Sequence, residues 1–349
     1  MLKKIALFLL GLSLISCSAD KPPELLYKHQ FYVFGTMVGI SIFGLPDAQA
    51  KKAAETIEQD FQEMHKNWHA WNPSSPLMEV NRAIAAGKSI EINDPSLLHM
   101  LTISKKYYTE TDGLFNPSIG KLIELWGFHQ DEMPKGSPPS KEELAKILAQ
   151  KASMDDISLD GKMLSSRNPN VYLDFGAIGK GYAVDLAIEH LQKLGIQNAI
   201  VNAGGNLKAI GKRGGFPWQI GIRHPDGTKV LAAITTEKEE SVITSGDYER
   251  YREFEGKHYS HILDPRTGQS AQEFTSVTVI DKNGALADVA STALSIAGVK
   301  DWYNVAKKLG VKYVMLMDRE GTVYLNPAMV ERIQFDPKRP PKAKISDDL

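Results

Sequence analysis

The side chains best suited to do chemistry fall in three short segments. In Tyr259-Ser260-His261-Ile262-Leu263-Asp264-Pro265-Arg266-Thr267-Gly268 a histidine stands at the head of a proline and glycine turn. An imidazole with an ordinary pKa of about 6.5 is the side chain best placed to take a proton from a hydroxyl near neutral pH. A single histidine also serves purely structural ends, and His258 lies close enough to compete. In Ala287-Asp288-Val289-Ala290-Ser291-Thr292-Ala293 three oxygen side chains stand at i, i+3 and i+4, on one face of a helix. Such a set suits a hard cation such as Mg²⁺, completed by water and phosphate, and suits zinc or copper poorly. The same spacing also serves helix capping. In Asp174-Phe175-Gly176-Ala177-Ile178-Gly179-Lys180-Gly181 a glycine-bearing loop precedes a helix, which aims free amides and a lysine at an anion. The loop is not a P-loop, because Gly181 follows Lys180 where Ser or Thr is required, and glycines there also fit tight strand-to-helix packing.

The elements that must position these groups are visible in the periodicity. Phe31 to Phe43 is rich in β-formers and bends at Gly35-Thr36-Met37. After Pro46-Asp47, the residues Ala50, Ala53, Ala54, Ile57, Phe61, Met64 and Trp68 recur every three or four positions, which predicts a helix with that face inward. Further helices are expected over Pro95–Thr109, up to Trp126, after the capping box of Ser140 and Glu143, over Tyr182–Leu194, and over Ala285–Ala297. Strands are expected at Val171–Asp174, Ala199–Asn202, Trp218–Ile222, Val230–Thr235, Val242–Thr244, Ser276–Ile280, Val314–Met317 and Val323–Leu325. Helices and strands alternate without a strict βαβ rhythm, which predicts an α+β fold with a mixed, largely antiparallel sheet and flanking helices. His65 and His69 are i, i+4 but lack the glutamate of a zinc-protease motif, and read as a solvated face; Met315 and Met317 read as core filling.

The ends set the context. Lys3 and Lys4, an apolar run from Ile5 to Leu12, and Leu14-Ile15-Ser16-Cys17 read as a secretory leader, too short to span a bilayer. Leu-Ile-Ser-Cys resembles a bacterial lipobox, which makes Cys17, the only cysteine, the expected lipidation site. Residues 1–17 are thus expected to be a lipoprotein signal peptide, 18–28 a tether, 29–335 the working domain and 336–349 a flexible tail. One cysteine excludes internal disulfides and cysteine-zinc sites. Forty-one basic against forty-two acidic residues, without long blocks of one sign, leave no footprint for nucleic acid.

Taken together and in order, these segments resemble the ApbE family, the FAD:protein FMN transferases. The resemblance runs from about Phe31 to Leu325 and includes Ile243-Thr244-Ser245-Gly246-Asp247-Tyr248-Glu249-Arg250-Tyr251 and Val201-Asn202-Ala203-Gly204-Gly205-Asn206. It implies an ApbE-like, T-fold-related, two-lobed α+β domain. It further implies that Met37, Trp71, Gly113, Leu114, Phe115, Asp174, Lys180 and Ile262 bind FAD, that the Ala177 carbonyl with Asp288, Ser291 and Thr292 holds Mg²⁺, and that His261 is the base. Trp71 stands where the family usually has tyrosine; it can stack but has no phenolic hydroxyl. The implied reaction moves FMN from FAD to a Ser or Thr hydroxyl of a protein carrying an Asp-Gly-x-Ser/Thr-x-Ala type of motif, a subunit of a membrane redox complex, and releases AMP. The same site could instead hydrolyse FAD to FMN and AMP, or merely bind flavin. The expected location is extracytoplasmic (periplasmic), lipid-anchored to a bacterial membrane: the inner membrane by family, with Ser18 also compatible with the outer.

Overall fold

The computed structural model describes residues 25–130, 132–227 and 229–349. The leader and Cys17 lie outside the described residues. A nine-stranded sheet forms the centre, in the order Leu26–Val33, Thr36–Phe43, Ala199–Ala203, Asn206–Ile210, Glu240–Gly246, Phe274–Asp281, Tyr313–Asp318, Val323–Leu325, Ala343–Ile345. Every neighbouring pair is antiparallel except the last, which is parallel.

Alternation along these strands sorts side chains between two apolar layers. Val314 and Leu316 face the long Gly284–Leu309 helix with Trp302, whereas Met315 and Met317 face the other way, onto Trp218 and Ile220 of a small sheet. That sheet pairs Gln219–Arg223, Val230–Thr235 and Ile333–Phe335. The opposite layer holds the Asp47–Trp68 and Gly179–Lys193 helices against Val38, Ile40 and Val201. The seven apolar positions picked out by periodicity in the first helix are its buried residues. Helices Pro76–Ala85 and Pro95–Glu110 extend the same cluster through Ile84, Leu97 and Met100.

Several expectations need correction. Leu26, Tyr27 and Lys28 are not tether but strand, paired with Phe43, Ile42 and Ser41. In the expected tail, Ala343–Ile345 adds an edge strand beside Val323–Leu325. Val171–Asp174 makes only a single bridge, Tyr172 to Ile119: on that side the Tyr172 and Asp174 N–H groups bond to the Ser118 and Pro117 carbonyls, and on the other the Asn81 amide spans Leu173, accepting its N–H at 2.7 Å and donating to its carbonyl at 3.0 Å. The Ala285–Ala297 helix continues past a break at Gly298 (φ 71°, ψ −177°) to Leu309, and the Glu273 carboxylate takes the Val299 N–H (2.7 Å), restarting the helix.

Candidate active site

Where the Phe34–Gly35 hairpin turn, the 174–180 loop and the Gly284–Leu309 helix converge, a cleft of about 310 Å³ opens. That is within the range of small-molecule sites. Its lining is rich in aromatic rings: Phe34, Trp68, Trp71 and Phe128, with His65, His69 and His129. His65 and His69 are therefore not a solvated face. Their rings lie 5.0 Å apart, and His65 meets Phe34 edge-on, because Phe34 swings inward at a positive φ of 54°.

The 174–181 loop ties itself in place before the helix begins. Asp174 accepts the Gly176 N–H (2.8 Å) and the Trp71 indole N–H (2.9 Å). Trp71 stacks on Tyr172 at 4.6 Å and 18°. Trp71 thus keeps a polar tie, through its indole nitrogen, to the loop it faces. Further on, the Gly181 N–H, which an uninterrupted helix would give to the Ala177 carbonyl, goes instead to the Asp288 carboxylate at 2.8 Å. The Ala177 carbonyl thereby loses its helical donor, and Ala177 is one of the residues lining the cleft. This needs close contact of two helices. A Cβ on Gly284 would sit 2.6 Å from the Gly181 carbonyl oxygen, so the crossing tolerates only glycine. Asp185 fixes that crossing by accepting the Gly284 and Ala285 N–H groups (both 3.0 Å) while it pairs with buried Lys208 at 2.6 Å.

Asp288 is 3% exposed, and burial pushes its carboxyl pKa above the usual range, against the opposing pull of Lys180 and the Gly181 bond. Such a group ionises at a cost that a bound cation offsets. Among the described residues no three His, Cys, Asp or Glu side chains gather to hold a metal. The oxygen set of Asp288, Thr292 and the Ala177 carbonyl, all on the cleft wall, fits a hard cation such as Mg²⁺ and no soft one. Ser291 stands one step back. Its hydroxyl donates to the Asp288 carbonyl (2.9 Å) and meets the Ser245 hydroxyl (2.7 Å), and it is Ser245 that lines the cleft.

His261 reaches the cleft from the other side. Its Nδ1 faces the Arg250 carbonyl at 3.0 Å, and a carbonyl can only accept, so the proton sits on Nδ1 and the Nε2 lone pair is free. The ring keeps partial solvent access through the cleft but is surrounded by protein mass. Burial first, then the Lys180 charge, drives its pKa down to about 4, so it is neutral at physiological pH. His258 is otherwise engaged: its Nε2 bonds the Asp247 carbonyl (2.8 Å) and its ring stacks on Tyr251 at 4.0 Å. Lys180 pairs with Glu249 at 3.7 Å, and burial raises the Glu249 carboxyl while Lys180 opposes the rise.

Leu114, Phe115, Asp174, Lys180 and Ile262 line the cleft as expected from the sequence. Met37 and Gly113 do not. Met37 is 51% exposed on the open sheet face opposite Tyr32, and Gly113 serves the turn (φ 78°) that delivers Leu114 and Phe115. Ser245, Glu249 and Arg250 line the cleft as well, beyond the residues expected there, and all three lie inside the Ile243–Tyr251 motif. The signal was there, but motif membership alone does not say which side chains point inward.

Known proteins share the sequence and the fold. Residues 34–315 match the ApbE family. A curated relative from Rhodobacter capsulatus, named FAD:protein FMN transferase, is 40% identical over 304 residues, covering 87% of this chain and 58% of the relative. The chain thus spans little more than half of that relative's length. A second of the same name, from Haemophilus influenzae, is 32% identical over 75% of this chain and 77% of its own. The crystal structure of the ApbE protein from Thermotoga maritima superposes with a TM-score of 0.77 at 30% identity, covering 85% of this chain and 96% of that one. The Pseudomonas stutzeri flavinyl transferase ApbE, in its apo form, gives 0.76 at 28%, covering 88% and 97%. With four-fifths of its length matched and the cleft built from the motifs that the match contains, the chain belongs to the ApbE family.

Proposed function

We propose that this protein is an FAD:protein FMN transferase, which moves FMN from FAD to a Ser or Thr hydroxyl of an acceptor protein and releases AMP. The observation that carries this reading is the meeting, in one cleft, of a neutral histidine with a free Nε2 and an oxygen-only cation site beside Lys180. The aromatic lining offers Trp71, Phe34 and Phe128 as apolar surface for a flat ring. Asp174 and Lys180 flank it as polar contacts.

The reaction is a phosphoryl transfer, in which the protein's work is alignment and charge neutralisation. Asp288, Thr292 and the Ala177 carbonyl would hold Mg²⁺, with Ser291 and Ser245 supporting through their hydroxyls. When bound, the ion would neutralise charge on the pyrophosphate. Lys180 adds a second positive charge at the same place. His261 Nε2 takes the proton of the acceptor hydroxyl as its oxygen bonds to the FMN-side phosphorus. The bond from that phosphorus to the bridging oxygen breaks, and AMP leaves with the oxygen.

The proposal includes the setting inferred from the sequence: acylation of Cys17, an extracytoplasmic domain anchored to a bacterial membrane, and an acceptor with an Asp-Gly-x-Ser/Thr-x-Ala type of motif from a membrane redox complex. The test incubates the protein with FAD, Mg²⁺ and an acceptor carrying such a site, and reads flavin fluorescence on the acceptor after denaturing electrophoresis together with released AMP. Labelled acceptor and AMP in equal amounts support the transferase. AMP with free FMN and no labelled acceptor would make the protein a pyrophosphatase instead.

A further inference from the structure

At the end of the sheet away from the cleft, the chain makes a tight turn, Arg213-Gly214-Gly215-Phe216. It is closed by Arg213 N–H to Phe216 carbonyl (2.8 Å) and Phe216 N–H to Arg213 carbonyl (3.0 Å). The turn leaves Phe216 76% exposed, more than any other large apolar side chain among the described residues. Lys212 beside it is exposed as well. Nothing in the reaction uses this turn.

Its neighbours say what it faces. The Asn198 Oδ1 accepts the Lys212 N–H (2.8 Å) and its carbonyl accepts the Phe43 N–H (2.9 Å). The next residue, Gly44, bonds back to the Leu25 carbonyl (2.9 Å), and Leu25 is itself 43% exposed. The turn therefore lies at the same end of the sheet as Leu25, which is eight residues after Cys17 in the sequence. Eight residues reach at most about 29 Å, so a lipid on Cys17 keeps this end near the bilayer.

We propose that Phe216, with Lys212, is a membrane-contact turn: the ring enters the interface and the lysine meets anionic headgroups. Its role is orientation, which a flexible lipid tether alone does not supply. The proposal rests on the Cys17 anchor proposed above and not on the transfer reaction. The eight-residue strand Leu26–Val33 separates this end from the Phe34–Gly35 rim of the cleft, and at about 3.3 Å per residue it spans about 26 Å. A protein standing on Phe216 holds its cleft at that height, and an acceptor hydroxyl must reach there.

The experiment uses the full-length lipidated protein in vesicles of phosphatidylethanolamine and phosphatidylglycerol. Because Cys17 is the only cysteine, Phe216→Cys carries a single environment-sensitive NBD label. Met163→Cys, on the Met163–Ser166 strand and 44% exposed, is the control. The label at 216 is expected to lose most of its emission to nitroxide-bearing lipid and little to aqueous iodide, with the reverse at 163. If the protein sediments with vesicles but position 216 is as open to iodide as 163, the contact turn is wrong and the anchor stands. If the protein does not sediment with vesicles, both are wrong; the transfer assay, run separately, is unaffected by either result.

Discussion

If His261 is the base, acid should titrate it near 4 and not near 6.5. Its imidazole pays for burial and for the nearby Lys180 charge, and the drop from 6.5 to about 4 amounts to about 3 kcal/mol in favour of the neutral ring. At pH 5 a ring titrating at 4 is about nine-tenths neutral, whereas one titrating at 6.5 is about 3% neutral, a difference of about thirtyfold in base available to the free enzyme. With Mg²⁺ saturating, kcat/KM should therefore change little between pH 7 and pH 5. The direct assay is NMR titration of the His261 ring carbon-bound proton, assigned by its loss in His261→Gln. The same shift fixes the stability trend. The unfolded chain takes up this proton below about 6.5 and the folded one only near 4, so stability is full above 6.5 and falls with pH across that window. The advantage of wild type over His261→Gln should shrink by about 3 kcal/mol between pH 7 and pH 4. A ring midpoint near 6.5, or a tenfold loss of kcat/KM per pH unit starting there, would refute the buried-base reasoning.

Asp288→Asn should abolish Mg²⁺ binding, read by titration calorimetry, yet raise the Tm of the metal-free protein at pH 7. The raised carboxyl pKa means that ionised Asp288 weakens the apo fold as pH rises, and asparagine still accepts the Gly181 N–H. Trp71→Phe removes the indole donor to Asp174 while Gly176 still serves that carboxylate. A loss of about 1 kcal/mol of FAD binding, seen as a several-fold higher KM with kcat little changed, is the expected result; an unchanged KM would contradict it. Gly181→Ala forces a methyl against the Gly284 backbone, and should cost about 1–3 kcal/mol by chemical denaturation and weaken Mg²⁺ binding with it. Lys208→Met leaves the buried Asp185 carboxylate without its cation, at about 3–5 kcal/mol; wild-type stability would mean that the ion pair does not hold the helix crossing.

The sequence by itself determined the elements with a clear apolar period and the chemistry of the parts. The first helix could be read to the residue because its apolar face repeats at the helical period. The partition of Met315 and Met317 from Val314 and Leu316 followed from the two-residue period of a strand. Family motifs brought His261, Asp288 and Ala177 forward because motifs preserve local order along the chain. What tertiary structure alone decided is which of those atoms face one another. Ser291 withdraws behind Ser245 because its hydroxyl finds the Asp288 carbonyl first. The Ala177 carbonyl is open because a carboxylate 107 positions along the chain takes the N–H that would have closed it. Glu249 matters because Lys180 lies 3.7 Å away, and His261 is neutral because it is buried beside that same lysine. Periodicity is a property of neighbours in sequence. Desolvation, pairing and accessibility depend on groups that only the folded chain brings within a few ångströms.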